Sequence, residues 1–233
     1  MENGHDLAGA KTRLLDAALG QVAFDGWSET SFRAAADEIG LTPDLARAIC
    51  PRGALDLAIA YHRRGDAAME DGLRATHLSD LRFRDRIARA ARLRLDAADR
   101  EVVRRGAALF ALPQNAATGA GLIWGTADAI WRALGDTCED INWYSKRATL
   151  SAVYSATALF WLGDESEGQA ATWDFLDRRI EEVMRFETFK AQVRDNPVLG
   201  KVLAGPLRAL SRVRAPAGPP WDLPGRMTNE EKA

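Results

Sequence analysis

Residues 111–147 read ALPQNAATGAGLIWGTADAIWRALGDTCEDINWYSKR, and the organisation of the chain is clearest from this stretch. No charged residue occurs between Ala107 and Ala127, after which large aromatic residues alternate with acidic and basic ones. Trp, Tyr and Arg are the residues enriched at protein interfaces. The pattern therefore indicates either a surface that binds a protein partner or a junction between two helices with tryptophans at its edge.

The composition favours an all-α fold. Alanine and arginine, which favour helices, are abundant, and residues that favour strands are sparse. Apolar residues recur at helical spacing in most of the chain. The spacing predicts helices over residues 9–25, 31–39, 43–50, 54–70, 118–134, 143–162 and 169–193, together with an arginine-rich helical segment over 78–105.

The first four predicted helices have the arrangement of a helix-turn-helix, which resembles the N-terminal domain of TetR-type repressors. Residues 1–60 nevertheless contain five basic and nine acidic residues, and the segment from Pro43 to Cys50 carries one Asp and one Arg. Neutralisation of phosphates supplies most of the non-specific affinity for DNA. We therefore expect a helix-turn-helix that is kept for packing and binds no nucleic acid.

The arginine-rich segment is expected to expose its basic side chains. Ion pairs along a solvated helix explain them, and a basic face toward lipid headgroups is the alternative. The residues placed outward are Arg82, Arg84, Arg86, Arg89, Arg92, Arg94, Arg100, Arg104 and Arg105.

Two of the predicted helices contain unusually small residues. Gly119, Gly121 and Gly125 lie in the helix over 118–134, where each glycine costs about 1 kcal/mol relative to alanine. Pro113 to Asn115, just before it, are expected to form a polar turn. Small residues are also interspersed among the apolar ones of the helix over 143–162. Both helices are therefore expected either to cross a neighbour closely or to enclose a ligand cavity.

The C-terminal part suggests a membrane-contact helix followed by a disordered tail. Residues 190–214 carry six basic residues and one acidic residue. On a helical projection the basic residues oppose an apolar face, as in helices that lie in a membrane interface, although docking on the protein's own core is the alternative. The membrane-contact residues are predicted to be Leu199, Lys201, Val202, Leu203, Leu207, Arg208, Leu210 and Arg212. Residues 215–233 are rich in Pro and Gly.

No catalytic, cofactor or metal motif is recognisable. The three histidines lack metal-ligand spacing, and no Ser or Cys lies in a nucleophile motif. Cys50 and Cys138 are expected to be free thiols. The sequence shows neither a targeting segment nor a credible transmembrane helix, so we expect a complete cytoplasmic protein of bacterial type that is not an enzyme.

Residues 10–190 resemble the ubiquinone-biosynthesis accessory protein family, which has a TetR-like fold and binds lipids as a partner of demethoxyubiquinone hydroxylase. The run from Asp140 to Arg147, Asp-x-Asn-Trp-Tyr-x-x-Arg, is the most specific part. The other residues that carry the resemblance are Leu112 to Asn115, Trp131, Gly135, Asp136, Ala148, Tyr154, Thr172, Trp173, Phe175, Leu176 and Arg179.

The resemblance implies a TetR-like helical bundle that binds an isoprenoid quinone intermediate and presents it to a hydroxylase at the inner face of the bacterial membrane. The implied partner-binding residues are Ile130, Trp131, Leu134, Asp140, Trp143, Tyr144 and Arg147. The implied lipid-binding residues are Leu122, Ile123, Leu150, Val153, Tyr154, Thr157, Trp173, Leu176 and Ile180. The alternative function is a TetR-type ligand-sensing regulator.

The expected organisation has four parts. Residues 1–70 form the helix-turn-helix-like region, 71–195 the ligand- and partner-binding domain, 196–214 the membrane-contact helix and 215–233 the tail. A homodimer is expected.

Overall fold

The computed structural model describes the backbone of residues 3–138 and 141–195, and the side chains of residues 7–138 and 142–185. These residues form α-helices and one short 3-10 helix, Glu167–Gln169, and contain no strand. The all-α prediction is confirmed. The α-helices are α1 (Asn3–Asp25), α2 (Glu29–Glu38), α3 (Pro43–Ile49), α4 (Ala54–Ala75), α5 (Phe83–Asp96), α6 (Arg100–Ala111), α7 (Pro113–Ala133), α8 (Ile141–Gly163) and α9 (Ala170–Asp195).

The helix-turn-helix begins and ends where local sequence signals place it. The Ser28 hydroxyl accepts a hydrogen bond from the backbone N–H of Ser31 and caps α2. Thr42 caps α3 in the same way, with Pro43 at the first helical position. Gly40, between the two helices, has φ +70°, a conformation that glycine adopts without strain.

Two predicted boundaries were wrong. The arginine-rich segment over 78–105 is not one helix, because α5 ends at Asp96 and the side chain of Asp99 caps the start of α6. The predicted turn at Pro113 to Asn115 is instead the first turn of α7, since proline is well suited to the first position of a helix. With both corrections, α6 and α7 are consecutive helices that pack against each other.

The helices enclose two apolar cores, and α4 contributes to both. Leu57 and Ala58 at the start of α4 pack with α1, α2 and α3, whereas Met69 and Leu73 near its end pack with α5, α7, α8 and α9. Helix α7 packs against α4, α6 and α8, and α9 packs against α5 and α8. The second core therefore lies behind the aromatic stretch with which α8 begins.

No helix in the described part of the chain is both long enough and apolar enough to cross a membrane.

Candidate functional site

An apolar cavity of about 310 Å³ lies among α4, α5, α6, α7 and α8. Its innermost wall is formed by buried residues such as Ala58 and Leu95, and its mouth by exposed residues such as Ala107, Ala120 and Leu159. We call it the tyrosine cavity because two of the chain's three tyrosines line it. Its lining also includes Trp27, Tyr61, His62, Arg94, Val102, Phe110, Gly119, Leu122, Ile123 and Tyr154.

A hydrogen-bonded group of buried polar residues adjoins the inner wall of this cavity. The guanidinium of Arg94 donates from Nε to Asp66 Oδ1 at 2.7 Å and from Nη2 to the carbonyl of His62 at 3.0 Å. Thr126 donates to the same Asp66 oxygen at 2.8 Å and contacts His62 Nε2 at 2.9 Å. His62, Asp66, Arg94 and Thr126 are called the Arg94 cluster, and its ion pair stabilises the packing of α4 against α5.

The outward placement of Arg94 predicted from the sequence was wrong. Its side chain is 4% exposed and forms an ion pair with Asp66, which is 17% exposed. Gly65 makes room for the guanidinium, since a Cβ at this position would overlap Arg94 Nη1. Arg94 lies seven residues after Ile87, on the face of α5 that the apolar residues occupy, and this spacing is the signal that the sequence offered.

His62 is a neutral imidazole at physiological pH. Burial and the positive charge of Arg94 lower its pKa to about 4. Because Thr126 donates its proton to Asp66, His62 Nε2 is the donor in its contact with Thr126. The other ring nitrogen, Nδ1, therefore carries a lone pair.

Two phenol hydroxyls add to the polar groups of the tyrosine cavity. Burial raises the pKa of both Tyr61 and Tyr154, so both remain protonated. Tyr61 accepts a hydrogen bond from the backbone N–H of Asp99 at 2.8 Å. Tyr154 is 4% exposed and lies close enough to Arg94 for each charge to affect the pKa of the other. Both phenols are therefore available as hydrogen-bond donors.

A second cavity of about 280 Å³ lies between α5, α8 and α9, and we call it the Trp131 cavity. Phe83, at 42% exposure, stands at its edge with its ring centroid 5.4 Å from that of Trp131. The polar atoms at its rim come from residues such as Lys146, whose Nζ bonds Asp136 Oδ1 at 2.6 Å and Cys138 Sγ at 2.8 Å. Its apolar lining includes Ile87, Leu150, Val153, Ile180, Val183 and Met184.

The structure divides the predicted lipid-binding residues among three places. Leu122, Ile123 and Tyr154 line the tyrosine cavity. Leu150, Val153 and Ile180 line the Trp131 cavity. Thr157, Trp173 and Leu176 line neither of these cavities: Thr157 and Leu176 are fully buried, and Trp173 packs beneath the guanidinium of Arg92.

Among the predicted partner-binding residues, Trp143 and Tyr144 are half-buried at the surface. Their rings meet edge to face at 4.8 Å, and Trp124 of α7 lies 5.9 Å from Trp143 and 6.4 Å from Tyr144. We call these three residues the aromatic cluster. Leu134 is partly buried against the core nearby, and Asp140 lies outside the described residues.

The other three predicted partner-binding residues are buried and do not present a surface. Ile130 and Arg147 are 0% and 1% exposed, and Trp131 is 9% exposed. Arg147 donates from Nε to Asp128 at 2.6 Å and from Nη1 to Asp136 at 3.1 Å. Its guanidinium also lies 4.1 Å from the centre of the Trp143 ring, so it supports the aromatic cluster from below.

The three glycines of α7 have different environments. A Cβ on Gly119 would lie 2.8 Å from Phe110 Cβ, so α6 and α7 approach closely there. A Cβ on Gly121 or Gly125 would meet nothing within 4 Å among the described residues. The expectation of a close approach therefore holds for Gly119, where the neighbour is a helix.

The remaining predictions concern the two cysteines, a metal site and the C-terminal segment. Cys50 is buried, Cys138 is half-buried, and both are free thiols. The described residues contain no group of His, Cys, Asp or Glu side chains that could hold a metal ion. The predicted membrane-contact residues, Leu199 to Arg212, and the tail lie outside the described residues.

Comparison with known proteins supports the resemblance drawn from residues 112–179. Residues 116–187 match the COQ9 family model. The ubiquinone biosynthesis protein COQ9, mitochondrial, of Rattus norvegicus is 30% identical over 190 residues, which cover 78% of this chain and 61% of that protein. The predicted resemblance to the COQ9 family is confirmed.

The protein of the same name from Homo sapiens is 29% identical over 190 residues, covering 78% of this chain and 60% of its own. The match thus spans about three fifths of the length of these COQ9 relatives. A TetR transcriptional regulator from Nitrosomonas europaea superimposes with a TM-score of 0.62 at 22% identity, covering 75% of this chain and 97% of its own. This similarity establishes a TetR-like fold for the chain.

Sequence reasoning did not assign four residues to the tyrosine cavity or to the predicted partner-binding set. Tyr61, His62 and Arg94 were not assigned to a cavity, and Trp124 was not included in the partner-binding set. Tyr61 and His62 follow the apolar run of α4, but whether they line the same cavity as Tyr154 depends on how the helices pack. Trp124 was detectable because it stands in the uncharged stretch before the other aromatic residues.

Proposed function

We propose that this protein binds an isoprenoid quinone intermediate of ubiquinone biosynthesis in the tyrosine cavity and presents it to a hydroxylase. The observation that carries the proposal is the cavity itself, which is apolar along its walls and polar at its inner end. The names of the COQ9 relatives support the proposed role in ubiquinone biosynthesis. In this proposal the protein carries out no chemistry of its own.

The shape of the tyrosine cavity suits a ligand with a polar head and a long apolar tail. Small-molecule sites are mostly apolar concavities of about 300–1,000 Å³ with a few placed polar groups. Each buried methylene group of a ligand contributes about 0.8 kcal/mol. The cavity accommodates part of an isoprenoid lipid, and the mouth beside Ala107 and Ala120 leaves a path for the rest of the tail.

The aromatic cluster is the surface that we propose for the hydroxylase. Trp124, Trp143 and Tyr144 expose parts of three large rings, the type of residue that contributes most to binding at interfaces. Leu122 and Ile123, which line the cavity, immediately precede Trp124 on α7. A partner bound at the aromatic cluster would therefore contact the helix that forms one wall of the lipid site.

The membrane part of the proposal rests on the sequence of residues 199–212 and on the apolar nature of the proposed ligand. We propose that this segment contacts the inner face of a bacterial membrane, from which the lipid enters the cavity. The homodimer also remains a prediction.

A ligand-sensing regulator, the alternative function, receives less support. The TetR-like fold alone would accommodate it. In the helix-turn-helix, however, Arg33 and Arg47 both form ion pairs with Glu29, and Arg52 forms one with Asp56. Basic side chains that are already paired with carboxylates have less charge to offer to DNA phosphates.

Mass spectrometry of lipids that copurify with the protein tests the lipid-binding part. Ala120→Trp would block the mouth of the cavity, and Ala117→Trp, at an exposed position of the same helix outside the cavity lining, is the matched control. We expect isoprenoid quinones or their precursors with the wild type and the control, and their loss with Ala120→Trp. Folded wild-type protein without any isoprenoid lipid would refute this part.

Direct binding to purified demethoxyubiquinone hydroxylase tests the partner surface. Trp143→Ala and Trp124→Ala should each raise the dissociation constant about tenfold or more, because each removes a large ring from the proposed contact. Phe24→Ala is the control, since Phe24 is 81% exposed on α1 and far along the chain from the aromatic cluster. Equal affinity for the Trp143 variant and the control would exclude the aromatic cluster as the binding surface.

A further inference from the structure

The inner end of the tyrosine cavity holds hydrogen-bond donors that the described residues leave unused. The Tyr154 side chain is 4% exposed, and its hydroxyl donates no hydrogen bond to a described residue. Tyr61 is half-buried, and its hydroxyl accepts a hydrogen bond from the backbone N–H of Asp99 without donating one to a described residue. A hydroxyl that faces an apolar cavity needs a ligand or water as its partner. The position of the two phenols along an otherwise apolar wall indicates a ligand that brings acceptor oxygens.

Arg94 supplies further donors at the same end. Its bonds to Asp66 and to the His62 carbonyl use two of the five N–H groups of a guanidinium. Arg94 itself lines the cavity, together with His62. The cavity therefore presents two phenols together with a guanidinium that uses only two of its five N–H groups.

The charges at this end cancel. The positive charge of Arg94 is paired with the negative charge of Asp66 at 2.7 Å, and His62 is neutral. A ligand carboxylate or phosphate would have to lose its hydration without meeting an unpaired positive charge, which is unfavourable in a buried site. A neutral head with carbonyl or ether oxygens needs only the donors that are present.

We propose that Tyr61, Tyr154 and the Arg94 cluster form a subsite for the neutral, oxygen-bearing head of a lipid, such as a quinone ring, and reject anionic heads. This inference rests on the proposed lipid-binding function and adds the orientation and the chemical class of the ligand. The head lies at the buried inner end beside Tyr154, and the apolar tail points along α6 and α7 toward the mouth.

Three probes with the same ten-carbon chain separate head recognition from binding of the tail: decylbenzoquinone, decylbenzene and para-decylbenzoate. Their dissociation constants are measured by calorimetry at neutral pH with the full chain, after removal of copurified lipid. We expect decylbenzoquinone to bind about tenfold more tightly than decylbenzene, because at least two hydrogen bonds are added. Para-decylbenzoate should bind more weakly than the quinone.

Tyr154→Phe tests the contribution of one donor. It removes only the hydroxyl, so the quinone should bind about threefold to tenfold more weakly while decylbenzene binding is unchanged. Ser151→Ala is the matched control, because Ser151 carries a buried hydroxyl without a partner on the same helix but lies outside the cavity lining. This control should leave both dissociation constants unchanged.

The outcomes distinguish the subsite from the general function. Equal binding of decylbenzoquinone and decylbenzene to the wild type would overturn the head subsite but leave lipid binding intact. Tighter binding of para-decylbenzoate than of the quinone would show that the site takes lipid anions and would also overturn the proposal. If none of the three probes bound, the proposed function itself would fail. The comparison of the three probes uses only the wild-type protein, so its result does not depend on whether any variant folds.

Discussion

The guanidinium of Arg147, on α8, lies between the carboxylates of Asp128, on α7, and Asp136, in the turn after α7. These two ion pairs join the three segments. Its side chain is 2% exposed, and that of Asp136 is 4% exposed. Hydrogen bonds from Lys146, Cys138 and Arg147 outweigh the effect of burial and lower the pKa of Asp136. An arginine that resembles a partner contact in sequence is therefore the residue that holds the start of α8 in place.

Replacement of this buried arginine should destabilise the protein more than replacement of an exposed one that binds the same carboxylate. We expect Arg147→Ala to lower the free energy of unfolding by about 3–5 kcal/mol, because it leaves two carboxylates without their buried partner. Arg132→Ala also removes an ion pair to Asp128, but Arg132 is 64% exposed, so the loss should stay below about 1 kcal/mol. Urea titration of both variants measures the difference, and equal losses would contradict a structural role for Arg147.

His62 should make stability depend on pH. Its pKa is about 4 in the folded protein, below the ordinary value of 6.5, because burial and Arg94 disfavour the charged ring. Asp66 and Arg63 are the other charged groups that act on it, the first raising and the second lowering its pKa. Between pH 6.5 and 4 the unfolded chain binds more protons at this position, so stability falls as the pH falls and the contribution is lost below pH 4.

The size of this effect follows from the shift in pKa. It corresponds to a loss of about 3 kcal/mol in the free energy of unfolding between neutral pH and pH 4, for a side chain that is 16% exposed. We expect His62→Gln to flatten the fall in the free energy of unfolding between these pH values, while His77→Gln, at an exposed position, keeps the wild-type slope. Identical slopes for the two variants would show that His62 titrates normally.

At the scale of helices, three arginines of the arginine-rich segment connect α6 to the ends of α1 and α8. Arg100 and Arg104 of α6 donate to the carbonyls of Asp164 and Leu162 at the end of α8, at 2.5 and 2.8 Å. Arg105 donates to the carbonyl of Ala23 near the end of α1 at 2.9 Å. These bonds satisfy carbonyls that a helix leaves free at its C-terminus and place a positive charge where the helix dipole favours it.

The glycines of α7 should respond differently to substitution by alanine. Gly119→Ala would place a Cβ 2.8 Å from Phe110 Cβ, an atom that cannot rotate away, so we expect a loss of about 1–3 kcal/mol in the free energy of unfolding. Gly121→Ala meets open space in the described structure and should stabilise the protein by about 0.5–1 kcal/mol through helix propensity. Thermal and urea unfolding measure both. A destabilising Gly121→Ala would indicate that something covers this face of α7.

At the scale of the whole molecule, lipid capture and membrane contact are proposed for different parts of the chain. The tyrosine cavity is built from α4 to α8, whereas the basic and apolar pattern of residues 199–212 lies beyond α9. Changes to the charges of this segment should therefore affect membrane binding without affecting the cavity.

The combined variant Lys201→Glu, Arg208→Glu and Arg212→Glu tests this separation. Each basic residue near an anionic surface contributes about 1 kcal/mol, so cosedimentation with vesicles that contain phosphatidylserine should fall by more than about a hundredfold in affinity. Decylbenzoquinone binding should be unchanged. Charge reversal at the exposed residues Arg63, Arg89 and Arg178 is the control and should leave vesicle binding near the wild-type level. Equal loss in both variants would refute a specific membrane-contact segment.

Local patterns in the sequence were sufficient to predict most of the helices and the resemblance to the COQ9 family. Ser28 and Thr42 cap helices by hydrogen bonds to residues three positions later, and Pro43 suits the first position of a helix. The apolar periodicity identified the long helices but missed the break near Ala97 that separates α5 from α6. The run from Asp140 to Arg147 was the most specific part of the resemblance to COQ9, and residues between Leu112 and Arg179 carried the rest.

The tertiary structure decided which of these residues are exposed and which meet. The sequence places Arg94 on the apolar face of α5, but it does not reveal that Arg94 and Arg147 are each buried because an aspartate on another helix, Asp66 or Asp128, pairs with it. The predicted lipid-binding residues likewise separate between two cavities, while Thr157, Trp173 and Leu176 line neither of them. Burial and ion pairing across helices depend on contacts between residues distant in the chain, and helical periodicity reports only on neighbours within about one turn.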